Sequence, residues 1–492
     1  MEKFVDEFGS SCLFPIVATV EGCPSPAKVY LNMRNNLPSY LLESAEGMGK
    51  RARYSFIGTD PLLTLEVKDG RIQLGGNKQL KEMAKRNIRK DQDMDPIEIV
   101  KRAFLVGQLS VSRINYPRFI CGPVGYFAYD AIRCLFDIGK RAGDDLRHPD
   151  AEFMLAKNTV VFDHAEKKTF VCANAFIFDN SDPKVVYADS LNEIKNKVKQ
   201  LSKAKQTPRL RTDVELKTDV TSNMTRGEFI DAVRRVQEYI NSGDVLQLVL
   251  SRRMETKLNG DPYSAYLALH KINPSPYMYY LDFGRRKIIG SSPETLVRVE
   301  KGEVMTRPIG GTRRRGRSVE EDREIKRELL NDRKEREEHM MLVNLGREDI
   351  SKVAKVGSVK IKNFMTINKY SHVMHIVSTV VGALREDKDE FDALRVNFPA
   401  GTVVGAPRFR AMEIIEGLEP TRRGIYAGGV GYFDYRRNMD FAIAIRTIVV
   451  EDGKAYAQVG AGVVSRSVPE LEFYETENKG RALLKAISIA KA

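Results

Sequence analysis

Two pairs of glutamates define the chemistry this chain could perform. Glu335 and Glu338 stand three apart in Arg333-Lys334-Glu335-Arg336-Glu337-Glu338-His339-Met340-Met341-Leu342-Val343-Asn344-Leu345, which reads as a helix passing from charged to apolar within one or two turns. Glu472 and Glu475 repeat that spacing near the C-terminus. Side chains three apart share a helix face, so each pair aims two carboxylates together. Hard oxygen ligands suit Mg²⁺, which takes only one or two carboxylates directly and keeps several waters for an anionic ligand. Alone, the first pair reads more simply as a solvated acidic face.

Other residues could complete such a site. Pro308-Ile309-Gly310-Gly311-Thr312, the run from Ala400 to Pro407, and Gly460-Ala461-Gly462 are short and glycine-rich. Glycine lets a backbone approach a ligand and offer its N–H groups to oxygen anions. None is a Walker loop, and none fits Gly-x-Gly-x-x-Gly with a downstream acid, so a nucleotide site is not expected. His375 lies between apolar neighbours, as a structural strand histidine does. If it reacts, it is placed for proton transfer near neutral pH. There is no serine nucleophile elbow and no His-Glu-x-x-His.

Composition narrows the ligand class. The 492 residues carry a formal charge of +13 and are 42% hydrophobic, a globular balance with a basic excess. The densest basic run, Arg313-Arg314-Arg315-Gly316-Arg317, is short and lacks interleaved aromatics, so an anionic small substrate is expected rather than nucleic acid. Five cysteines without Cys-x-x-Cys read as free thiols in a reducing compartment. The N-terminus shows no targeting pattern and no apolar run approaches a membrane span. A cytoplasmic protein with no membrane partner is expected.

The positioning elements follow from pattern. Leu63, Leu65 and Val67 alternate up to Asp69-Gly70, and Ile72 and Leu74 resume beyond it, predicting a hairpin. Residues 160–162 and 169–172 predict a second. Helices are expected over 96–109 and 130–137. The polar stretch 197–223 reads as a helix end followed by a linker, separating an N-terminal region (1–196) from residues 224–492. Thr225-Arg226-Gly227-Glu228 fits a capping box for a helix that stops at Ser242-Gly243. Strands are expected over 245–250, 277–283, 287–290, 295–299, 426–433, 441–450 and 455–459, with Asp452-Gly453 as a hairpin turn. Ser318 to Glu321 fits another capping box, opening one long charged helix that includes Glu335 and Glu338. Pro469 opens the last helix. Gly122-Pro123-Val124-Gly125-Tyr126-Phe127 echoes Gly428-Gly429-Val430-Gly431-Tyr432-Phe433, which reads as two related sheet edges or as coincidence.

Several segments occurring in order resemble the chorismate-utilising enzymes, in particular their anthranilate synthase component I branch. They are Gly243 to Arg252, Ser291-Ser292-Pro293-Glu294, Pro308 to Thr312, Glu335 to Val343, Val373 to Ser378, Gly401 to Pro407, and Gly460 to Thr476. The resemblance implies an α/β sandwich of large, mostly antiparallel sheets flanked by helices, with 224–492 as the chorismate-binding catalytic domain. It implies that ammonia adds to C2 of chorismate, the C4 hydroxyl leaves, and pyruvate is then eliminated to give anthranilate. By family position Glu338 and Glu475 are implied as direct Mg²⁺ ligands, and Glu335 and Glu472 as ligands through water. Arg446 and Tyr426 are implied to bind the pyruvyl carboxylate. Gly311, Thr312, Gly460, Ala461 and Gly462 complete the cradle, and Lys479 offsets the acid cluster. Glu294 is implied as the general acid, with His375 and Thr402 orienting or protonating the same region.

Gln247 stands where water-using members carry a lysine base, which suits an amine nucleophile. Gly310 replaces the lysine typical of aminodeoxychorismate synthases, the alternative reading within the family. Leu41-Leu42-Glu43-Ser44 and Asn273 to Met278 resemble the family's tryptophan feedback site, with Ser44, Pro276, Tyr277 and Met278 lining it and 1–196 as a regulatory region. A catalytically weak tryptophan-binding regulator is the reading from another class. No cysteine sits in a glutaminase context, so a separate glutamine amidotransferase subunit and a hetero-oligomer are expected.

Overall fold

The computed structural model describes residues 12–22, 24–44, 53–88, 94–105, 108–109, 117–139, 141–178, 181–202, 210, 219–369 and 373–491. Most of the segment read as a linker, and residues 370–372, lie outside them. Strand alternation builds the architecture. Side chains along a strand point alternately to its two faces. Tyr40, Tyr279, Leu281, Ile288, Val449 and Tyr456 lie in one buried cluster. Their sequence neighbours Leu41, Met278, Tyr280, Ile289, Ile448, Val450, Ala455 and Ala457 lie in another. Val124, Tyr126, Met154, Val430 and Tyr432 join the first cluster, while Phe127, Phe153, Leu155 and Phe433 face a third. The shared cluster is the interior between two sheet layers, and the other two lie beneath the flanking helices. Aromatic rings dominate that interior, as in the Phe119–Tyr432 pair at 4.4 Å between centroids. Each such ring buried contributes about 2–3 kcal/mol.

Both layers spring from the paired strands Tyr54–Lys68 and Ala151–Asp163. One arm runs through Ser39–Glu43, Tyr277–Asp282, Arg286–Ser292, Thr447–Glu451, Lys454–Val463 and Gln247–Lys257. The other runs through Pro123–Phe127, Gly429–Asp434, Asn438–Ile443, Thr295–Glu300, Glu303–Thr306 and Val373–Ala383. These ladders are antiparallel, so the expected α/β sandwich of large antiparallel sheets is the observed fold. Strands from both sides of the 197–223 segment share it. The helix Pro183–Ser202 runs into that segment.

The internal echo has a structural meaning. The two glycine-rich strands are antiparallel neighbours, centred on Gly125 opposite Gly431. A Cβ on Gly431 would lie 2.1 Å from the Asp440 carbonyl oxygen, and one on Gly125 would lie 2.1 Å from that of Glu152. Each glycine lets its strand lie against the next one outward.

Both predicted hairpins form. The Thr225–Glu228 capping box opens the helix Arg226–Asn241. Five expectations need correction. The helix expected over 96–109 ends at Ala103, because Gln108–Leu109 hydrogen-bonds in parallel to the strand Cys12–Glu21. The strand expected from 426 begins at Gly429. The strand expected over 441–450 breaks into Asn438–Ile443 and Thr447–Glu451, and Arg446 between them has φ +52°. The long charged helix is two, Val319–Asn331 and Arg333–Ser351. Asp332 separates them in extended conformation, and its carboxylate accepts from the Glu335 N–H at 3.2 Å. Asp332 therefore acts as an N-cap, a role short acidic side chains fill better than the helix interior. At Ser318 only half of the expected box forms, since Glu321 turns instead to the Arg317 N–H and to Arg314.

Candidate active site

The cap at Asp332 starts a new helix and fixes which face carries Glu335 and Glu338. The helix Pro469–Lys491 carries Glu472 and Glu475, and the Glu475 charge is felt at Glu338 on the first helix. Burial, then the charges of Glu335 and Glu475, push the Glu338 carboxyl up, against Lys334 and a hydrogen bond from Gln247. Burial, then Glu475, likewise push Glu472 up, against Ser467, Lys479 and Lys334. Glu475 pairs with Lys479 at 2.6 Å, and Glu335 with Arg313 at 2.9 Å. Among the described residues, no group of three or more His, Cys, Asp and Glu side chains converges closely enough to hold a metal ion. The donor chemistry nevertheless fits a hard divalent cation. The charges of Glu335 and Glu475 help raise the Glu338 pKa and that of Glu475 helps raise the Glu472 pKa, and a cation among them would reverse that.

The opposite wall is cationic. Arg446 sits at the kink between two strands, and among the described residues no carboxylate pairs with it. Burial pulls its guanidinium down, while Tyr426 and Glu475 act on it in the other direction. A desolvated arginine without a counterion suits an incoming carboxylate, to which it can donate two parallel hydrogen bonds. The Tyr426 ring lies over the glycine-rich strand: a Cβ on Gly460 would sit 2.6 Å from its hydroxyl. Ala461 is in register with Leu250, and Gly462 with Val249. A Cβ on Gly462 would come 2.9 Å from Gln247 Nε2, and Lys479 donates to the Gly460 carbonyl at 2.9 Å. From the other layer, Thr312 Oγ1 lies 3.0 Å from His375 Nδ1. Burial lowers the His375 pKa, and Arg446 lowers it further. Gly311, at φ +59°, brings its backbone to 3.1 Å between an added Cβ and Glu335 Oε2.

Glu294 follows the strand Arg286–Ser292 and is buried against Thr402 and Ile443 beside a cavity of about 40 Å³. Burial pushes its carboxyl up to about 8, opposed only in part by Thr402. The Thr402 hydroxyl is buried and has no fully formed hydrogen bond, so the two side chains face each other at less than ideal geometry.

The residues expected to line a tryptophan site lie in another part of the fold. Met278 pairs with Glu43 in adjacent strands, which sets Ser44 beside Tyr277 and Pro276. The Tyr277 hydroxyl bonds Thr295 at 2.8 Å and Asp440 at 2.9 Å. The Met278 side chain is in the outer core. Glu43, not singled out from sequence, lies in the same layer, pushed up by burial and bonded by the Tyr266 hydroxyl.

Sequence reasoning also passed over Arg313, Lys334, Ser467 and His339. Arg313 belongs to the basic run, whose members pair with the acidic helices: Arg313 with Asp332 and Glu335, Arg314 with Glu321, and Arg315 with Asp322. His339 is fully buried, bonded to Ser378 at 2.7 Å and lowered by burial to about 4. A Cβ on Gly310 would lie 3.1 Å from its ring. The available signal was position alone, one residue beyond Glu338 at the start of the apolar half.

The sandwich and the facing acidic and cationic walls define the class. A model of the chorismate binding enzymes matches residues 21–485, and the chain belongs to that family. It is 46% identical to anthranilate synthase component 1 of Aquifex aeolicus over 472 residues, 95% of this chain and 93% of that protein. The same protein of Acetivibrio thermocellus is 44% identical over 472 residues, with the same coverage. The crystal structure of anthranilate synthase component I from Streptococcus pneumoniae superposes with a TM-score of 0.75 at 33% identity, covering 89% of this chain and 94% of that one. The menaquinone-specific isochorismate synthase of Escherichia coli shares the fold at TM-score 0.68 and 17% identity, covering 99% and 98%.

Proposed function

We propose that the chain is the large subunit of an anthranilate synthase, converting chorismate and ammonia to anthranilate and pyruvate. The observation that carries this is the pairing of Arg446, without a carboxylate partner among the described residues, with the mutually repelling carboxylates Glu338, Glu472 and Glu475 across one site. Chorismate carries two carboxylates, and each wall has the means to hold one. Arg446 and the Tyr426 hydroxyl receive the pyruvyl carboxylate. Glu338 and Glu475 hold Mg²⁺, with Glu335 and Glu472 behind them. When bound, Mg²⁺ supplies the positive charge that lets four acids sit beside the ring carboxylate.

The N–H groups of 460–462, with Gly311 and Thr312, orient the ligand. Glu294, still protonated near neutral pH, gives its proton to the departing C4 hydroxyl. Thr402 and His375 hold that region, and the low His375 pKa keeps its imidazole neutral. Gln247, bonded to Glu338, offers no base to activate water, which favours ammonia as the nucleophile at C2.

A glutamine amidotransferase subunit supplies the ammonia in a cytoplasmic hetero-oligomer, and free ammonia replaces it in vitro. Residues 1–196 act as the regulatory region and 224–492 as the catalytic domain. Tryptophan binds where Ser44 meets Pro276, Tyr277 and Met278, and inhibits.

The test is chorismate turnover with ammonia and Mg²⁺, with and without tryptophan, read by anthranilate fluorescence. Glu338→Ala and Glu475→Ala are each expected to lose Mg²⁺-dependent activity and calorimetric Mg²⁺ binding while staying folded. Full activity in either, or accumulation of 4-amino-4-deoxychorismate, refutes the assignment.

A further inference from the structure

Arg446 sits in left-handed backbone at φ +52°, a conformation that a non-glycine residue keeps only when its surroundings impose it. Two residues of the neighbouring strands impose it here. The Ser291 N–H donates to the Arg446 carbonyl at 3.1 Å. One residue further on, the Thr447 hydroxyl donates to the Ile445 carbonyl at 3.0 Å. The Tyr279 hydroxyl, 2.6 Å from Thr447 Oγ1, is therefore the donor in that bond. Tyr279, Gly290 and Thr447 are successive partners across three strands. The Tyr279 ring reaches Thr447 because Gly290 leaves it room, since a Cβ there would lie 2.0 Å from the ring.

Both anchors are tied to the segment from Asn273 to Met278. The Ser291 hydroxyl donates to the Asn273 carbonyl and lies 2.9 Å from Ser275 Oγ. Asn273 Nδ2 returns a bond to Ser291 Oγ at 3.0 Å. Tyr279 is two residues along the strand from Tyr277. Ser275, Tyr279 and Ser291 are all buried, so these bonds are not exchanged for water.

We propose that Tyr279 and Ser291 are positioning residues that hold the Arg446 kink, so that movement of the Asn273–Met278 segment is transmitted to the guanidinium. This rests on the reading above, in which Arg446 takes a substrate carboxylate and that segment lines the tryptophan site. A ligand that shifts the segment lowers chorismate affinity by releasing Arg446. Coupling between two such sites is commonly about 5–150-fold in affinity.

Tyr279→Phe and Ser291→Ala remove one hydroxyl each. Tyr279→Phe is expected to raise the chorismate KM about three- to tenfold with kcat within twofold, whereas Ser291→Ala keeps the N–H bond to the Arg446 carbonyl and cuts only the tie to Asn273 and Ser275, so its KM should stay within about twofold. Both are also expected to leave calorimetric tryptophan affinity within about threefold and to weaken tryptophan inhibition about tenfold. Asn174→Ala, which removes a buried bond to the Ala156 carbonyl at 2.9 Å, serves as the purely structural control and should move neither quantity. Folded variants with wild-type KM and wild-type inhibition overturn the proposal. So does a parallel loss of tryptophan binding and inhibition, because the residues would then merely shape the pocket. If tryptophan fails to bind the wild type, the effector reading falls, and the KM of Tyr279→Phe decides: a raised KM retains the positioning role and an unchanged KM ends it.

Discussion

Replacing Glu294 by glutamine tests the central acid in two independent ways. Its carboxyl is moved by burial from an ordinary value of 4.5 to about 8. In an unfolded chain the same group loses its proton near the ordinary value. Between the two, the folded state holds a proton that the unfolded state has released, so stability falls as pH rises through this window and is level on either side. At 1.36 kcal/mol per pH unit the full cost is roughly 5 kcal/mol, an upper bound because the site can relax. Glutamine fills the same space and does not titrate. The stability of Glu294→Gln relative to wild type is therefore expected to grow by about 3 kcal/mol between pH 5 and pH 8, most of the cost falling inside that interval. For a chain of this length that is a few degrees in thermal midpoint. Turnover should move the other way. The wild-type rate should fall above about pH 8 as the acid is lost, and Glu294→Gln should lose about 10²–10⁴-fold at any pH. Paired thermal melts and chorismate assays from pH 5 to 9 decide it. A stability difference that does not change with pH would refute the burial argument, and a fully active glutamine variant would refute the catalytic one.

Arg446→Gln should raise the chorismate KM about 100-fold, the loss expected for charge-assisted hydrogen bonds to one carboxylate. It should leave the thermal midpoint level or higher, because the desolvated guanidinium is a cost in the unliganded protein. A KM within twofold of wild type would remove Arg446 from the site. Gly431→Ala should cost more than about 3 kcal/mol or prevent folding, since its Cβ would lie 2.1 Å from a backbone carbonyl that cannot retreat. A midpoint within a degree of wild type would contradict that packing.

Local signals carried much of the architecture. Asp69-Gly70 and Asp452-Gly453 turn hairpins because the tight turn needs left-handed residues. Thr225 and Glu228 cap a helix through contacts only three residues apart. The two i, i+3 glutamate pairs lie on their helices as spacing requires, and the order of motifs gave the family. These features depend on neighbours in the chain, which the sequence displays directly.

The remaining features depend on distant partners. The break at Asp332 was hidden because the flanking pattern is helical on both sides, and a capping aspartate looks like one more acid in a charged run. The kink at Arg446 was hidden for the converse reason: the run from Phe441 to Val450 is apolar but for Arg446 and Thr447, and the bonds from Ser291 and Tyr279 show where it turns. The pairing of Arg313 with Glu335, and of the 122–127 strand with its echo at 428–433, joins residues that sequence spacing cannot relate. The proton on Glu294 at neutral pH is likewise a property of its surroundings, since burial sets it and burial exists only once the layers have closed. The sequence by itself determined which groups are available and the local elements that carry them. The tertiary structure decided which of them face one another and in what state of charge, because desolvation and Coulomb forces act across space and not along the chain.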